Sequence, residues 1–278
     1  MKIVGRTDLG KRRRKNEDCF AVKEYGGVSL VVVCDGMGGA NGGTVASSVA
    51  VEQFTESVDA AFRRGAQLLT EGDCASLLAH AAAAANGAVY RKAAKDETLQ
   101  GMGTTLVAAL FTERTMYVAN VGDSRLYLMS QGRLRQITRD HSLVQYMIDS
   151  GKLTPEEAKD YPNRNIITRA IGIERIVDVD ILSVELFPPE DSLILLCSDG
   201  LSSYVSDETI ETILQDGLRT EPFDGDSTVG ALIDAANDAG GMDNVTAVLI
   251  RPEWDGSSEK AAANLQAQEN HAPPLTDV

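Results

Sequence analysis

The sequence predicts an α+β fold in which antiparallel sheets are stacked and covered by helices. Strand patterns and helical patterns occur in separate runs, in the order strands, two helices, many strands, two helices and a last strand, whereas alternating βαβ units would mix them. Short apolar runs interrupted by glycine are typical of buried strands. A hydrophobic fraction of 43% with only 5% aromatic residues predicts a sizeable aliphatic core.

The first part of the chain predicts a strand, a basic loop and two more strands over residues 1–36. A helix is predicted from Thr44 to about Arg64, after a glycine-rich turn, because apolar residues recur there at helical spacing. These residues are Val45, Val49, Val51, Phe54, Val58 and Phe62. A second, alanine-rich helix is predicted over Ser76 to Lys95.

The middle of the chain predicts a β meander followed by a polar excursion. The β-rich segments, separated by typical hairpin connections, are Thr104–Leu110, Thr115–Asn120 and Ser124–Met129. Residues 140–165 are polar and carry helical signals at Ser142–Ser150 and Pro155–Asp160. Such an excursion between strands predicts a surface flap.

The last part predicts three strands, two helices and a final strand. In order, these are Ile166–Ala170, Val177–Leu186, Ser192–Cys197, Asp207–Gln215, Ser227–Asp238 and Val245–Arg251. The chain becomes polar after Trp254. We therefore expect one domain over residues 1–252 and a disordered tail over 253–278, with a frayed helix at Lys260–Gln268 as the alternative.

Charge and cysteine content exclude several classes of protein. The net charge of −15 repels nucleic acid and anionic membrane surfaces, so we expect neither as a partner. The four cysteines form no C-x-x-C pair and are expected to be reduced, as in a cytoplasmic protein. No apolar run approaches the roughly 18 residues needed to span a bilayer, and the first residues do not resemble a secretion signal.

Carboxylates at strand ends suggest a metal site. Asp35 and Asp199 each follow an apolar strand pattern and precede a glycine, and Asp243 lies just before the last strand. Clustered carboxylates are costly unless a cation or a proton neutralises them, and hard divalent cations prefer oxygen ligands. Asp123 ends another strand pattern in the same way, and the pair Glu17 and Asp18 closes the basic loop.

Seven motifs occur in a fixed order. They are Arg13 with Asn16-Glu17-Asp18, Asp35-Gly36-Met37-Gly38-Gly39, Gly101-Met102-Gly103-Thr104-Thr105, Val121-Gly122-Asp123-Ser124-Arg125, Thr138-Arg139-Asp140-His141-Ser142, Cys197-Ser198-Asp199-Gly200 and Gly241-Met242-Asp243-Asn244-Val245-Thr246. Together they resemble the metal-dependent (PPM, type 2C) serine/threonine protein phosphatases in their bacterial form. The resemblance covers about residues 1–252, and the ordered set is far more specific than any single motif.

The resemblance implies a four-layer αββα sandwich with a flap over about Ser142–Arg169 beside the active site. It also implies two Mn²⁺ or Mg²⁺ ions bridged by Asp35, with a third and weaker ion in bacterial members. The implied ligands are Asp35, Asp199 and Asp243 for the first ion, Asp35, the Gly36 carbonyl and Glu17 for the second, and Asp123 with Asp199 for the third. Asp18 corresponds to an acid that orients metal-bound water.

Arg13 matches the arginine that binds the substrate phosphate, for which a planar guanidinium is well suited. The other cations of Lys11–Lys15 are expected to form a solvated loop. In the implied mechanism two metal ions lower the pKa of a bridging water toward about 7, and the resulting hydroxide attacks phosphorus directly. The cysteines are then not nucleophiles.

The general acid is less defined by the resemblance. Met37 and Ala40 stand where other members have histidine, and His80, His141 and His271 are interpreted as structural or surface residues. Metal-bound water is therefore the expected acid.

The sequence thus predicts a phosphatase that acts on phosphoproteins and reverses a bacterial serine/threonine kinase, as a monomer. Two alternatives are a catalytically silent relative that acts as a binding module and a two-metal nuclease. The presence of every expected ligand argues against the first. The acidic net charge argues against the second.

Overall fold

The computed structural model describes residues 1–65, 70–112, 115–159, 161–186 and 192–253. The strands in these ranges are β1 (Lys2–Asp8), β2 (Asp18–Tyr25), β3 (Val28–Met37), β4 (Gly103–Thr104), β5 (Leu106–Phe111), β6 (Thr115–Val121), β7 (Arg125–Ser130), β8 (Arg133–Gln136), β9 (Asp180–Glu185), β10 (Leu193–Cys197) and β11 (Val245–Arg251). The α-helices are α1 (Gly39–Arg63), α2 (Glu71–Lys95), α3 (Leu143–Asp149), α4 (Pro155–Lys159), α5 (Asp199–Ser202), α6 (Asp207–Arg219) and α7 (Gly225–Asp238).

Two antiparallel sheets are stacked face to face. The first has the order β1-β11-β10-β7-β8, and the second has the order β2-β3-β5-β6-β9, with β4 paired to β3. Helices α1 and α2 pack on the outer face of the second sheet, and α6 and α7 pack on the outer face of the first. The predicted four-layer αββα sandwich is therefore confirmed.

Burial on both faces explains why the central strands are apolar throughout. In β3, Val31 and Val33 face the core between the sheets, whereas Leu30, Val32 and Cys34 pack against the layer of α1 and α2. Successive side chains of a strand point to opposite faces, so both sets are removed from water. A continuous apolar run results, in place of an alternating one.

Helix α1 begins at Gly39, whereas the sequence predicted a turn up to Thr44. Glycine has a low helix propensity, which is why the pattern indicated a turn. Close packing nevertheless favours glycine within this helix, because a Cβ atom at Gly42 would lie only 3.1 Å from Cβ of Met102. Helix α2 also begins earlier than predicted, at Glu71, where Thr70 and Asp73 form a capping box.

The predicted meander is divided between the two sheets. Strands β5 and β6 pair in the second sheet, whereas β7 and β8 pair in the first. The chain therefore crosses the sandwich at residues 122–124, the turn that contains Asp123. The strand predicted at Ile166–Ala170 is wrong, since only an isolated bridge joins Ile167 to Ser142.

The flap is confirmed as an excursion between β8 and β9 that carries α3 and α4. The proposed tail, 253–278, lies outside the described residues except for Glu253. Asp160, the last residue of the second helical signal in the flap, also lies outside them. None of the helices in the described ranges combines the length and apolar character needed to cross a membrane.

Candidate active site

Asp35 and Asp199 meet at one end of the sandwich, although the strands that lead to them belong to different sheets. Asp35 lies near the end of β3 in the second sheet, and Asp199 follows β10 of the first. Their carboxyl groups are close enough to interact directly. Burial, followed by the charges of Asp18 and Asp199, raises the pKa of Asp35 well above its usual range.

Asp18 lies beside this pair because it is opposite Asp35 in the register of β2 and β3. Its Oδ2 atom accepts hydrogen bonds of 2.7 Å from Ser198 and from Thr246. Its Oδ1 atom is buried without a partner among the described residues. Burial raises the pKa of Asp18 to about 7, against the opposing effect of the two hydroxyl groups.

Asp243 approaches the site from the loop before β11 and contacts the basic loop. Its Oδ2 atom accepts a 2.7 Å hydrogen bond from Nη2 of Arg13. Nη1 of Arg13 also lies 4.0 Å from Oε2 of Glu17. The predicted phosphate-binding arginine is therefore placed beside two predicted metal ligands, with 47% of its side chain exposed.

Asn244 holds the basic loop against the site. Its Oδ1 atom accepts a 2.8 Å hydrogen bond from the backbone N–H of Glu17. Its Nδ2 atom donates bonds of 3.0 Å to the carbonyl oxygens of Leu9 and Lys15. One buried amide therefore fixes both ends of the loop that carries Arg13, which makes it a positioning group.

The Gly36 carbonyl and the Glu17 carboxylate converge on one place. A Cβ atom built on Gly43 would lie 2.5 Å from Oε1 of Glu17 and 2.7 Å from the oxygen of Gly36. Only glycine leaves room for these two oxygens, because real Cβ atoms do not approach other atoms so closely. The helix that begins at Gly39 thus supplies a glycine where two predicted oxygen ligands meet.

Asp123 lies in the turn between β6 and β7 and lines a cleft of about 350 Å³ together with Asp199. The cleft runs between the flap and the start of α6. On the flap side it is lined by residues such as Gln145 and Arg164. Burial and the charges of Asp199 and Asp140 raise the pKa of Asp123 to about 8. We refer to Asp18, Asp35, Asp123, Asp199 and Asp243 as the carboxylate cluster. The cleft joins this cluster to the surface under the flap.

No three acidic, histidine or cysteine side chains among the described residues already surround one point as metal ligands do. Two of the predicted ligands have other partners in this arrangement: Asp35 interacts with Asp199, and Asp243 bonds to Arg13. A cation entering this end of the sandwich would compete with both contacts. Unpartnered oxygens nevertheless remain in the cluster, since Oδ1 of Asp18 and Oδ1 of Asp199 are buried without a hydrogen bond to any residue that the structure describes.

Sequence reasoning missed the residues that orient the carboxylates. Ser198, Thr246 and Asn244 are buried polar residues within or beside apolar strands, and each contacts the acidic cluster or the basic loop. In the sequence, Ser198 and Asn244 each lie next to an acid, whereas Thr246 is a polar residue inside the apolar run of β11. Nδ1 of His141 accepts a hydrogen bond from the N–H of Gly122, so His141 supports the turn that carries Asp123.

Comparisons with known proteins agree with this geometry. The sequence model of the Protein phosphatase 2C family matches residues 9–249. The serine/threonine phosphatase Stp of Listeria monocytogenes is 40% identical over 246 residues, which cover 88% of this chain and 93% of that protein.

Two solved structures are also similar to the chain. Serine/threonine phosphatase Stp1 from Staphylococcus aureus is 34% identical with a TM-score of 0.81, covering 91% of this chain and 95% of that one. The catalytic domain of the phosphatase PstP in complex with two manganese ions is 35% identical with a TM-score of 0.74, covering 89% and 96%. The chain therefore belongs to the protein phosphatase 2C family of enzymes.

Proposed function

We propose that this phosphatase hydrolyses phosphoserine and phosphothreonine in proteins with two Mn²⁺ or Mg²⁺ ions bound at the carboxylate cluster. The observation that carries the proposal is that Asp18, opposite Asp35 in the second sheet, accepts a hydrogen bond from Ser198, which precedes Asp199 at the end of β10 in the first sheet. This contact brings together Asp35 and Asp199, which are 164 positions apart in the sequence. Relatives named serine/threonine phosphatases and one solved with two manganese ions support it.

The donor set fits hard cations. Every proposed ligand is an oxygen, from Asp35, Asp199, Asp243 and the Gly36 carbonyl, with Glu17 beside the last. Like charge and burial raise the pKa values of Asp35 and Asp199, and a bound cation would relieve that repulsion. Asp123 and Asp199 would hold a third, weaker ion.

When bound, such ions act as Lewis acids that activate water near neutral pH and offset charge on phosphoryl oxygens. Arg13 binds the phosphate through its planar guanidinium, since its side chain is half exposed at the edge of the cluster. Asp18, whose Oδ2 is fixed by Ser198 and Thr246, keeps Oδ1 available to orient the attacking water. The cleft under the flap accommodates the peptide chain of the substrate.

The proposed role includes a cellular partner, a compartment and an oligomeric state. Phosphatase names among bacterial relatives support a role in reversing serine/threonine kinases. All four cysteines are free, which supports a reducing compartment such as the cytoplasm. We further propose that the protein acts as a monomer.

Phosphate release from a phosphothreonine peptide, measured with Mn²⁺ and with EDTA, tests the activity. We expect Mn²⁺-dependent turnover that EDTA and Asp199→Ala abolish. Asp216→Ala removes an exposed carboxylate that pairs with Arg219 on α6, and it should retain full activity. Absence of turnover with Mn²⁺ would instead favour the silent binding module, and titration calorimetry with Mn²⁺ alone would then show whether the cluster binds metal at all.

A further inference from the structure

The five consecutive cations Lys11–Lys15 alternate in their contacts. Lys11 lies 3.6 Å from Asp238, Arg13 bonds to Asp243, and Lys15 bonds to Asn41. The side chains of Arg12 and Arg14 have no hydrogen-bond or ion-pair partner in the part of the chain that the structure describes, and both residues are exposed. Odd positions anchor the loop, and even positions face solvent.

The backbone of this basic loop is held in place. The N–H groups of Lys11 and Arg12 both donate to the carbonyl of Gly241, at 2.8 and 3.1 Å. Gly10, with a φ of +74°, lies so close to Asp243 that a Cβ atom would be 2.2 Å from its carbonyl oxygen. Together with the amide of Asn244, these contacts hold the backbone at both ends of the segment that carries Arg12, Arg13 and Arg14.

We propose that Arg12 and Arg14 form a second anion subsite that selects substrates with a phosphate or carboxylate close to the phosphate being hydrolysed. The inference rests on the proposed role of Arg13 in binding that phosphate. The Cα atoms of Arg12 and Arg14 are each about 3.8 Å from that of Arg13. An extended peptide places side chains i and i+2 on one face about 7 Å apart, which suits neighbouring arginines.

Charge compensation is the competing explanation for the basic loop. Arg13 already pairs with Asp243 and approaches Glu17, so it does offset the carboxylates. Arg12 and Arg14 make no such contact among the described residues, so compensation does not account for them. In a chain with a net charge of −15, two exposed arginines adjacent in sequence to Arg13, with no ion-pair partner among the described residues, are suited to retain an anionic substrate.

A set of phosphothreonine peptides tests the subsite. In each peptide the neighbouring position, two residues away, carries threonine, glutamate or a non-hydrolysable phosphonate analogue of phosphothreonine, so that each peptide releases a single phosphate. We compare kcat/KM for the wild type, R12Q/R14Q and R133Q/R135Q. The last variant removes the same charge from exposed arginines of β8, which line a different cavity.

We expect the wild type to prefer the phosphonate peptide over the threonine peptide by about tenfold, since charge-assisted hydrogen bonds contribute about 1.4 kcal/mol or more. R12Q/R14Q should reduce this ratio to near one, whereas R133Q/R135Q should keep it. A preference that extends to glutamate identifies a general anion subsite, and one confined to phosphonate identifies a phosphate subsite; either result supports the proposal.

Three results would overturn the second subsite: a wild-type ratio near one, a ratio that R12Q/R14Q leaves intact, or an equal loss in R133Q/R135Q, which would indicate long-range steering. Mn²⁺-dependent turnover of the threonine peptide by the wild type is measured in the same experiment. If that turnover persists, the proposed phosphatase function stands even though the second subsite fails.

Discussion

Nη2 of Arg13 donates a 2.7 Å hydrogen bond to Oδ2 of Asp243, so the proposed phosphate-binding group touches a proposed metal ligand. The two residues lie 230 positions apart, on the basic loop and on the loop before β11. The proposed substrate-binding group and the proposed metal ligand are therefore adjacent. Their roles can still be tested separately, because Arg13 can be replaced without removing a carboxylate.

Replacement of Arg13 by alanine should raise KM for a phosphopeptide by about ten- to a hundredfold, which corresponds to the 1.5–3 kcal/mol typical of hydrogen bonds to charged groups. Mn²⁺ affinity, measured by titration calorimetry, should be unchanged or tighter, because Asp243 loses a competing cation. Arg219→Ala, at an exposed pair on α6, is the control. A loss of Mn²⁺ affinity that matches the rise in KM would contradict the assignment.

Asn244→Ala should release the basic loop from the site. The substitution removes three hydrogen bonds to the backbone of Leu9, Lys15 and Glu17, each worth about 1 kcal/mol net. Hydrogen exchange at Lys11, Arg12 and Glu17 should accelerate, and KM should rise because Arg13 is no longer held. Asn163→Ala, at an exposed flap residue, should leave both unchanged. Unaltered exchange in Asn244→Ala would disprove its positioning role.

Without divalent cations the protein should lose stability as the pH rises from about 4 to 8. Burial raises the pKa of Asp18 to about 7 and that of Asp123 to about 8, whereas both carboxyls have ordinary values near 3.8 when unfolded. In this window the folded state therefore binds more protons than the unfolded state, so stability is present at low pH and declines as these groups ionise.

Urea unfolding at pH 5 and pH 8, each with EDTA and with Mn²⁺, measures this effect. We expect the EDTA sample to be less stable at pH 8 by a few kcal/mol, by an order-of-magnitude estimate from linkage. Mn²⁺ should restore stability mainly at pH 8, where the carboxylates are free to bind it. Equal stability at both pH values in EDTA would show that the cluster is not held protonated.

His141→Ala should destabilise the fold at the turn that carries Asp123. The Nδ1 atom of His141 accepts a 3.0 Å bond from Gly122, and Nε2 lies 3.1 Å from Asp180. Burial lowers its pKa, which keeps the ring neutral and Nδ1 able to accept. We expect a loss of about 1–3 kcal/mol in urea unfolding. His80→Ala, on the exposed face of α2, should cost far less; equal losses would contradict this role.

The buried strands and their terminal carboxylates could be predicted because their signal is local. The runs before Asp35 and Asp199 are continuously apolar, since both faces of β3 and β10 are buried. The final strand, Val245–Arg251, was predicted with its observed bounds for the same reason. The order of the motifs then indicated the family, and the family pattern indicated every proposed ligand.

Features set by tertiary contacts could not be predicted from local patterns. Gly39, Gly42 and Gly43 are poor helix formers, yet they lie in the first turns of α1, and the oxygens of Gly36 and Glu17 leave no room for a side chain at Gly43. The β6–β7 turn resembles other hairpin connections, although it carries the chain from one sheet to the other. Asn244 is inconspicuous in sequence, because its partners lie more than 200 positions away.

The central claim is that Asp35, Asp199 and Asp243 together bind a divalent cation, and a crystal soaked in Mn²⁺ tests it most directly. We expect anomalous difference peaks between these carboxylates, with oxygen distances of about 2.0–2.6 Å, and with the Asp35 and Asp199 carboxylates turned toward the ion. The Asp35→Ala variant, soaked identically, should lose the peaks. Carboxylates that keep their contacts with each other and with Arg13, with no peak among them at saturating Mn²⁺, would contradict the account.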